Sequence, residues 1–181
     1  MKIITLNIIL LLIISSCVSE KEILTKIDSK NFKNNVEIQN DYLNKNINNN
    51  LNKNLIQILN YHHDPKIFKN YYSYSDSTIV NITFNGVNSL NISYKDTSNN
   101  IVNFNIKVKN KGNYLTFRRK VTLIPIPLFF TYYWNEKTII YLDNENNLNL
   151  ISGQTQFICI FIAGGDRTVY ENKFESKKEQ D

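Results

Sequence analysis

The chain has 181 residues with 21 Lys and Arg against 16 Asp and Glu, a formal net charge of +5. Its lysines are scattered apart from Arg118-Arg119-Lys120, which argues against a nucleic-acid-binding surface. About one residue in six is asparagine, a bias of low-GC coding that strips most asparagines of any functional message, including those in the sequons Asn81-Ile82-Thr83 and Asn91-Ile92-Ser93.

The first 17 residues carry the strongest pattern. Lys2 is followed by an apolar run from Ile3 to Ile14, broken by Thr5 and Asn7, then by Ser15-Ser16-Cys17. A dozen apolar residues fall short of the roughly 20 that a membrane-spanning helix needs. Charge, apolar run, small residues and thiol in that order resemble the signal peptide and lipobox of bacterial lipoproteins. The resemblance implies cleavage before Cys17, a diacylglycerol on its sulfur, and a mature chain held to the envelope by acyl chains. It also implies an outer-membrane address, on the periplasmic face or the cell surface, because valine and not aspartate follows the cysteine. Glu20 and Glu22 resemble the acidic surface-export signals of some outer-membrane lipoproteins.

Three regions are therefore expected: a leader over 1–16, a lipidated flexible tether over 17–35, and one domain over 36–181. Cys159 is the only other cysteine and sits in the apolar run Phe157 to Ile162, which predicts a buried, inert thiol and no intrachain disulfide.

Leu43, Ile47, Leu51, Leu55 and Leu59 recur every four residues and predict a helix from about Asp41 to Tyr61, capped by Asn40 or Asp41. Its many asparagines are poor helix formers, so it depends on docking the leucine stripe. Beyond Pro65, alternation marks strands: Val80, Ile82 and Phe84; Leu90, Ile92 and Tyr94; Val102, Phe104, Ile106 and Val108. Asn85-Gly86, Asp96–Asn100 and Asn110–Asn113 separate them as turns. More strands are expected at 114–124, 138–142, 148–152, 156–163 and 168–174, with a short one at 129–134. Asp143–Asn147 and Gly164-Gly165-Asp166 are read as the intervening turns, and Pro125 and Pro127 bar their segment from a central strand.

Eight or nine strands joined by short loops predict a mainly β fold, an antiparallel meander closing into a barrel or curved sheet after one helix. Over about residues 78–175 that layout resembles small lipocalin-like lipoproteins of unknown function.

Chemistry is sparse. His62-His63-Asp64 is the one dense cluster, and adjacent helical histidines point about 100° apart, so a helix-end role is expected and no metal site. Ala163–Arg167 lacks the following helix that a phosphate loop needs. No catalytic residues and no cofactor are expected. The functional expectation is a non-enzymatic, anchored envelope protein binding a small apolar ligand or a partner protein. A ligand chamber would be lined by Phe84, Tyr94, Phe104, Phe117 and Trp134, and the segment 121–134 is the candidate partner surface. The rival is a structural module of an envelope complex, followed by an envelope hydrolase.

Overall fold

From Ile79 to Lys107 the alternation in the sequence becomes three strands, because the turns between them are built from side chains that close on their own backbone. Asp96 accepts the amides of Ser98 and Asn100 at 2.9 and 2.8 Å, and Asn99 takes a φ of 63°. The same device recurs at Asp143, which accepts the amides of Glu145 and Asn147 at 3.0 and 2.9 Å while Asn146 takes a φ of 66°. Both read Asp-x-x-Asn-Asn, with asparagine at the left-handed position it tolerates better than other residues.

The computed structural model describes residues 19–27, 33, 37–48, 53–63, 74–118, 122–126, 130–160 and 162–177. The elements are α1 (Glu20–Leu24), β1 (Gln39–Asn46), α2 (Leu55–His63), β2 (Ile79–Phe84), β3 (Ser89–Lys95), β4 (Ile101–Lys107), β5 (Lys109–Asn110), β6 (Leu115–Arg118), β7 (Thr122–Ile126), β8 (Phe130–Leu142), β9 (Leu148–Ile160) and β10 (Ile162–Ser176). The strands form one antiparallel sheet in the order β4-β3-β2-β1-β10-β9-β8-β6-β5, with β7 pairing β8 beyond the end of β6. No ladder joins β4 to β5, so the sheet is not closed by hydrogen bonds. Yet those two ends of the path are separated in the chain by Val108 alone, whose amide donates to the Asn88 carbonyl at 2.8 Å. The sheet therefore curls almost fully round, a barrel-like meander as expected.

Its concave face is filled by α2. Leu55, Ile56, Ile58 and Leu59 share one core with Tyr42, Val80, Ile82, Leu90, Ile92, Ile140, Leu150 and Phe174. The opposite face is covered at β8 and β9 by α1 and the turn after it, where Ile23 and Ile27 pack on Ile139, Tyr141 and Ile151.

The separate strands expected at 129–134 and 138–142 are one strand, β8, and those expected at 148–152 and 156–163 are also one, β9. Four further expectations need correction. The helix of 41–61 begins only at Leu55; residues 39–46 form β1, so the helix follows the first strand and does not precede the sheet. Strand pairing on both sides, to β2 and β10, outweighs the weak helix propensity of this asparagine-rich stretch. Asn54 and Gln57, and not Asn40 or Asp41, make the cap: the Gln57 amide donates to Asn54 Oδ1 at 3.0 Å and the Asn54 amide to Gln57 Oε1 at 3.3 Å. The flexible tether of 17–35 contains α1, capped by Ser19, whose hydroxyl accepts the Glu22 amide at 3.1 Å, and anchored by Ile23, which is fully buried. Finally, Gly164, Gly165 and Asp166 are strand residues opposite Ile158, Phe157 and Gln156, so they do not form the turn between β9 and β10. Pro125 behaves as predicted, since β7 pairs only β8 among the described residues.

Candidate functional site

Of the five residues expected to line a chamber, four come together, but as walls around α2. Tyr94 and Phe117 are buried in the inner core, and Phe84 and Phe104 are partly buried against it. The Tyr94 hydroxyl accepts a hydrogen bond from Asn60 Nδ2 on α2 at 3.3 Å. Trp134 lies in β8 between Thr122 of β7 and Gln156 of β9. Cys17 lies outside the described residues, as does Asp64, while His62 and His63 are the last two residues of α2. Cys159 sits in β9 opposite Thr131 and Ala163. Among the described residues no group of three His, Cys, Asp or Glu side chains is gathered that could hold a metal ion.

One polar constellation went unseen in the sequence. On the concave side of β8–β10, Glu136 is 4% exposed and accepts a hydrogen bond from the Tyr170 hydroxyl. Thr138 and Ser152 share a hydrogen bond of 2.7 Å beside it, and Lys53 Nζ stands 5.1 Å above the Tyr170 ring. Asn46 Nδ2 donates to Asn172 Oδ1 at 2.8 Å, tying β1 to β10. Burying a carboxylate is costly unless it is hydrogen-bonded, so the Tyr170 contact makes the arrangement possible. Its geometry crosslinks three strands. A weak signal was present: Glu136 and Thr138 share the parity of the core residues Ile140 and Leu142.

The second constellation lies on the outside and is open. Lys107, Lys109 and Lys111 alternate along β4–β5 with Val108, which turns inward and is 2% exposed. With Lys137 of β8 they surround a cleft of about 420 Å³ whose walls include Val108, Thr116 and Phe117. One carboxylate enters it, that of Glu20 from α1. Glu20 Oε2 accepts from Lys137 Nζ at 2.7 Å, Oε1 accepts from the Tyr114 hydroxyl at 2.9 Å, and Lys111 Nζ stands 3.9 Å away. The Lys137 hydrogen bond holds the Glu20 carboxyl below its usual range, against the opposing effect of burial. Burial and the Glu20 contact push the Tyr114 phenol up to about 12, so it stays a donor. Four ammonium groups against one carboxylate leave the cleft cationic, and Glu20 already shows that an oxyanion fits among them.

The depressed Glu20 carboxyl has a pH signature. A group whose folded value lies below its unfolded one stabilises the fold above the unfolded pKa, near 4.3, and stops doing so as pH falls through the folded value. Glu20→Gln is expected to be less stable than wild type by up to about 1 kcal/mol at pH 6, the size of a solvent-screened pair. That gap should close in urea titrations taken progressively below pH 4. A gap that is constant with pH would show that the ion pair contributes nothing.

Comparison with family models, with curated proteins and with solved structures finds no match to this chain.

Proposed function

We propose that this chain is a lipid-anchored bacterial envelope protein whose domain is a non-catalytic binding module, taking an anionic partner at the lysine cleft. The leader pattern ending at Cys17 supplies the anchor and the envelope address. The observation that favours an anionic partner over the apolar ligand expected from the strand pattern is where space and charge lie. The concave face is occupied by Leu55, Ile56, Ile58 and Leu59 of α2, whereas the cleft outside is open and ringed by Lys107, Lys109, Lys111 and Lys137. Pockets of this kind select ligands by a few placed polar groups, and here those groups are cations.

Mass analysis of the purified native protein tests the anchor. The expected product begins at Cys17 and carries a diacylglycerol, and Cys17→Ser is expected to abolish processing and acylation. An unmodified thiol with an intact leader in the wild-type protein would remove both anchor and address.

A second reading has one specific support. The far edge of β7 has no strand partner among the described residues. An envelope protein could add a strand there, as in β-augmentation, which makes the segment 121–134 the surface of a structural module. Pro125 lies on that strand and would interrupt such a ladder.

A further inference from the structure

We propose that the lysine face of the cleft rests on the anionic headgroups of the leaflet that holds the anchor, so that the bilayer itself is the anionic partner. The inference rests on the acylation of Cys17 and adds to it the position of α1. Glu20 lines the cleft and follows Cys17 by three residues. Three residues span at most about 10 Å, whatever path the backbone takes. A flexible tether of 19 residues, as the sequence suggested, would have a mean reach of about 24 Å. The difference decides the matter, because attraction between lysines and an anionic surface fades over a Debye length of about 8 Å at physiological salt. At the longer distance the cleft would not sense the bilayer; at the shorter one it must.

α1 is held where this requires. Ile23 is fully buried against β8 and β9, Glu20 is bonded to Lys137 and Tyr114, and Glu22 stands 4.0 Å from Arg167. Lys107, Lys109 and Lys111 are all exposed, on alternate residues at the end of β4, the start of β5 and just beyond it, about 7 Å apart where the backbone is extended. That spacing suits a row of lipid headgroups better than a single compact anion. Glu20 offsets one of the four charges. Each remaining lysine near an anionic surface multiplies association by roughly five, so three give on the order of 100-fold.

The test uses the native lipidated protein in two vesicle preparations, phosphatidylcholine alone and phosphatidylcholine with about 30% phosphatidylglycerol. Lysine acetylation is mapped by mass spectrometry, with exposed Lys45 on β1, across the sheet, as the internal control. Acetylation of Lys107, Lys109 and Lys111 is expected to slow several-fold in the anionic vesicles only, to recover at molar salt, and to leave Lys45 unchanged. Equal labelling in both preparations with Cys17 acylated would overturn the proposal while leaving the anchor intact. Full-length Cys17→Ser protein separates the two readings. It keeps its leader, so the readout is the preference for anionic over phosphatidylcholine vesicles, and the further changes Lys107→Gln, Lys109→Gln and Lys111→Gln are expected to reduce that preference about 100-fold. If native Cys17 proves unmodified, the anchor fails; retained lysine-dependent sedimentation would then support the headgroup contact on its own, and its loss would end both.

Discussion

Leu59→Ala will lower the stability of the domain by about 3 kcal/mol, within the range of about 2–5 found for leucine truncations in cores. Leu59 is fully buried in the cluster that joins α2 to the concave face of the sheet. Truncation removes its transfer free energy and leaves a void that a curled sheet cannot easily collapse around. Urea unfolding should show a lower midpoint with little change in slope. A loss below about 1 kcal/mol would mean that α2 is a detachable cover and that the concave face is available to a ligand after all. This variant therefore separates a filled interior from one that can be emptied.

The second large effect is expected at Asn44, a fully buried amide in β1. Its Oδ1 accepts the Ile56 amide at 2.8 Å, at the start of α2, and its Nδ2 donates to the Ser75 carbonyl at 2.8 Å. Asn44→Ala leaves the buried Ile56 amide without its partner and takes one of two hydrogen bonds from the Ser75 carbonyl, which still accepts the Thr78 amide at 3.1 Å. A buried unsatisfied group costs about 1–3 kcal/mol, so a loss of about 2 kcal/mol is expected. Asn44→Asp is the sharper variant. Aspartate keeps the acceptor for Ile56, loses the donor for Ser75, and buries a charge whose pKa is raised by desolvation. A raised folded pKa stabilises only below it, so this variant should regain stability as pH falls, whereas the alanine variant should not. If the two variants share one pH profile, the side chain at position 44 is not sealed from water as its burial requires.

Asn44 also shows where the sequence misleads. Residues 43, 47, 51, 55 and 59 carry a four-residue repeat, yet Leu43 belongs to β1 and Leu55 and Leu59 to the helix, while Leu51 lies outside the described residues. In β1 the usual polarity is inverted: Tyr42, Asn44 and Asn46 are buried and Leu43 is half-buried, while Ile47, just past the strand, is 47% exposed. A reading that assigns apolar residues to the inside must then choose the wrong period. The inversion is stable because each asparagine is satisfied. Asn46 Oδ1 accepts the Lys173 and Asn48 amides at 3.1 and 3.0 Å while its Nδ2 reaches Asn172. Composition bias supplied the asparagines, and the fold has put several to structural use.

Where turns are made by their own side chains, the sequence was legible. Asp96–Asn100 and Asp143–Asn147 lie where their residues say they should, since their hydrogen bonds are local. Strands β2 to β4 were equally legible, because one face is buried and the other wet. The lysine cleft was not, since Glu20 and Lys137 meet across 117 positions of chain. The net charge hinted at cations, but only the curl of the sheet gathers them. Gly164 and Gly165 misled for the opposite reason: glycine signals a turn locally, while pairing with β9 keeps both in an extended strand.

The place of β1 sets the order in which this molecule can be completed. It lies between β2 and β10, and Asn46 bonds to Asn172 across 126 positions. A polypeptide emerging from the ribosome can form the β2–β3–β4 hairpins early, yet Tyr42 has no closed surroundings until Phe174 arrives. Contacts so distant in sequence slow folding, because loop closure is paid before they form. On the proposed reading of residues 1–16 as an export leader, that delay would keep the chain threadable through a translocation pore until its last strand has been made.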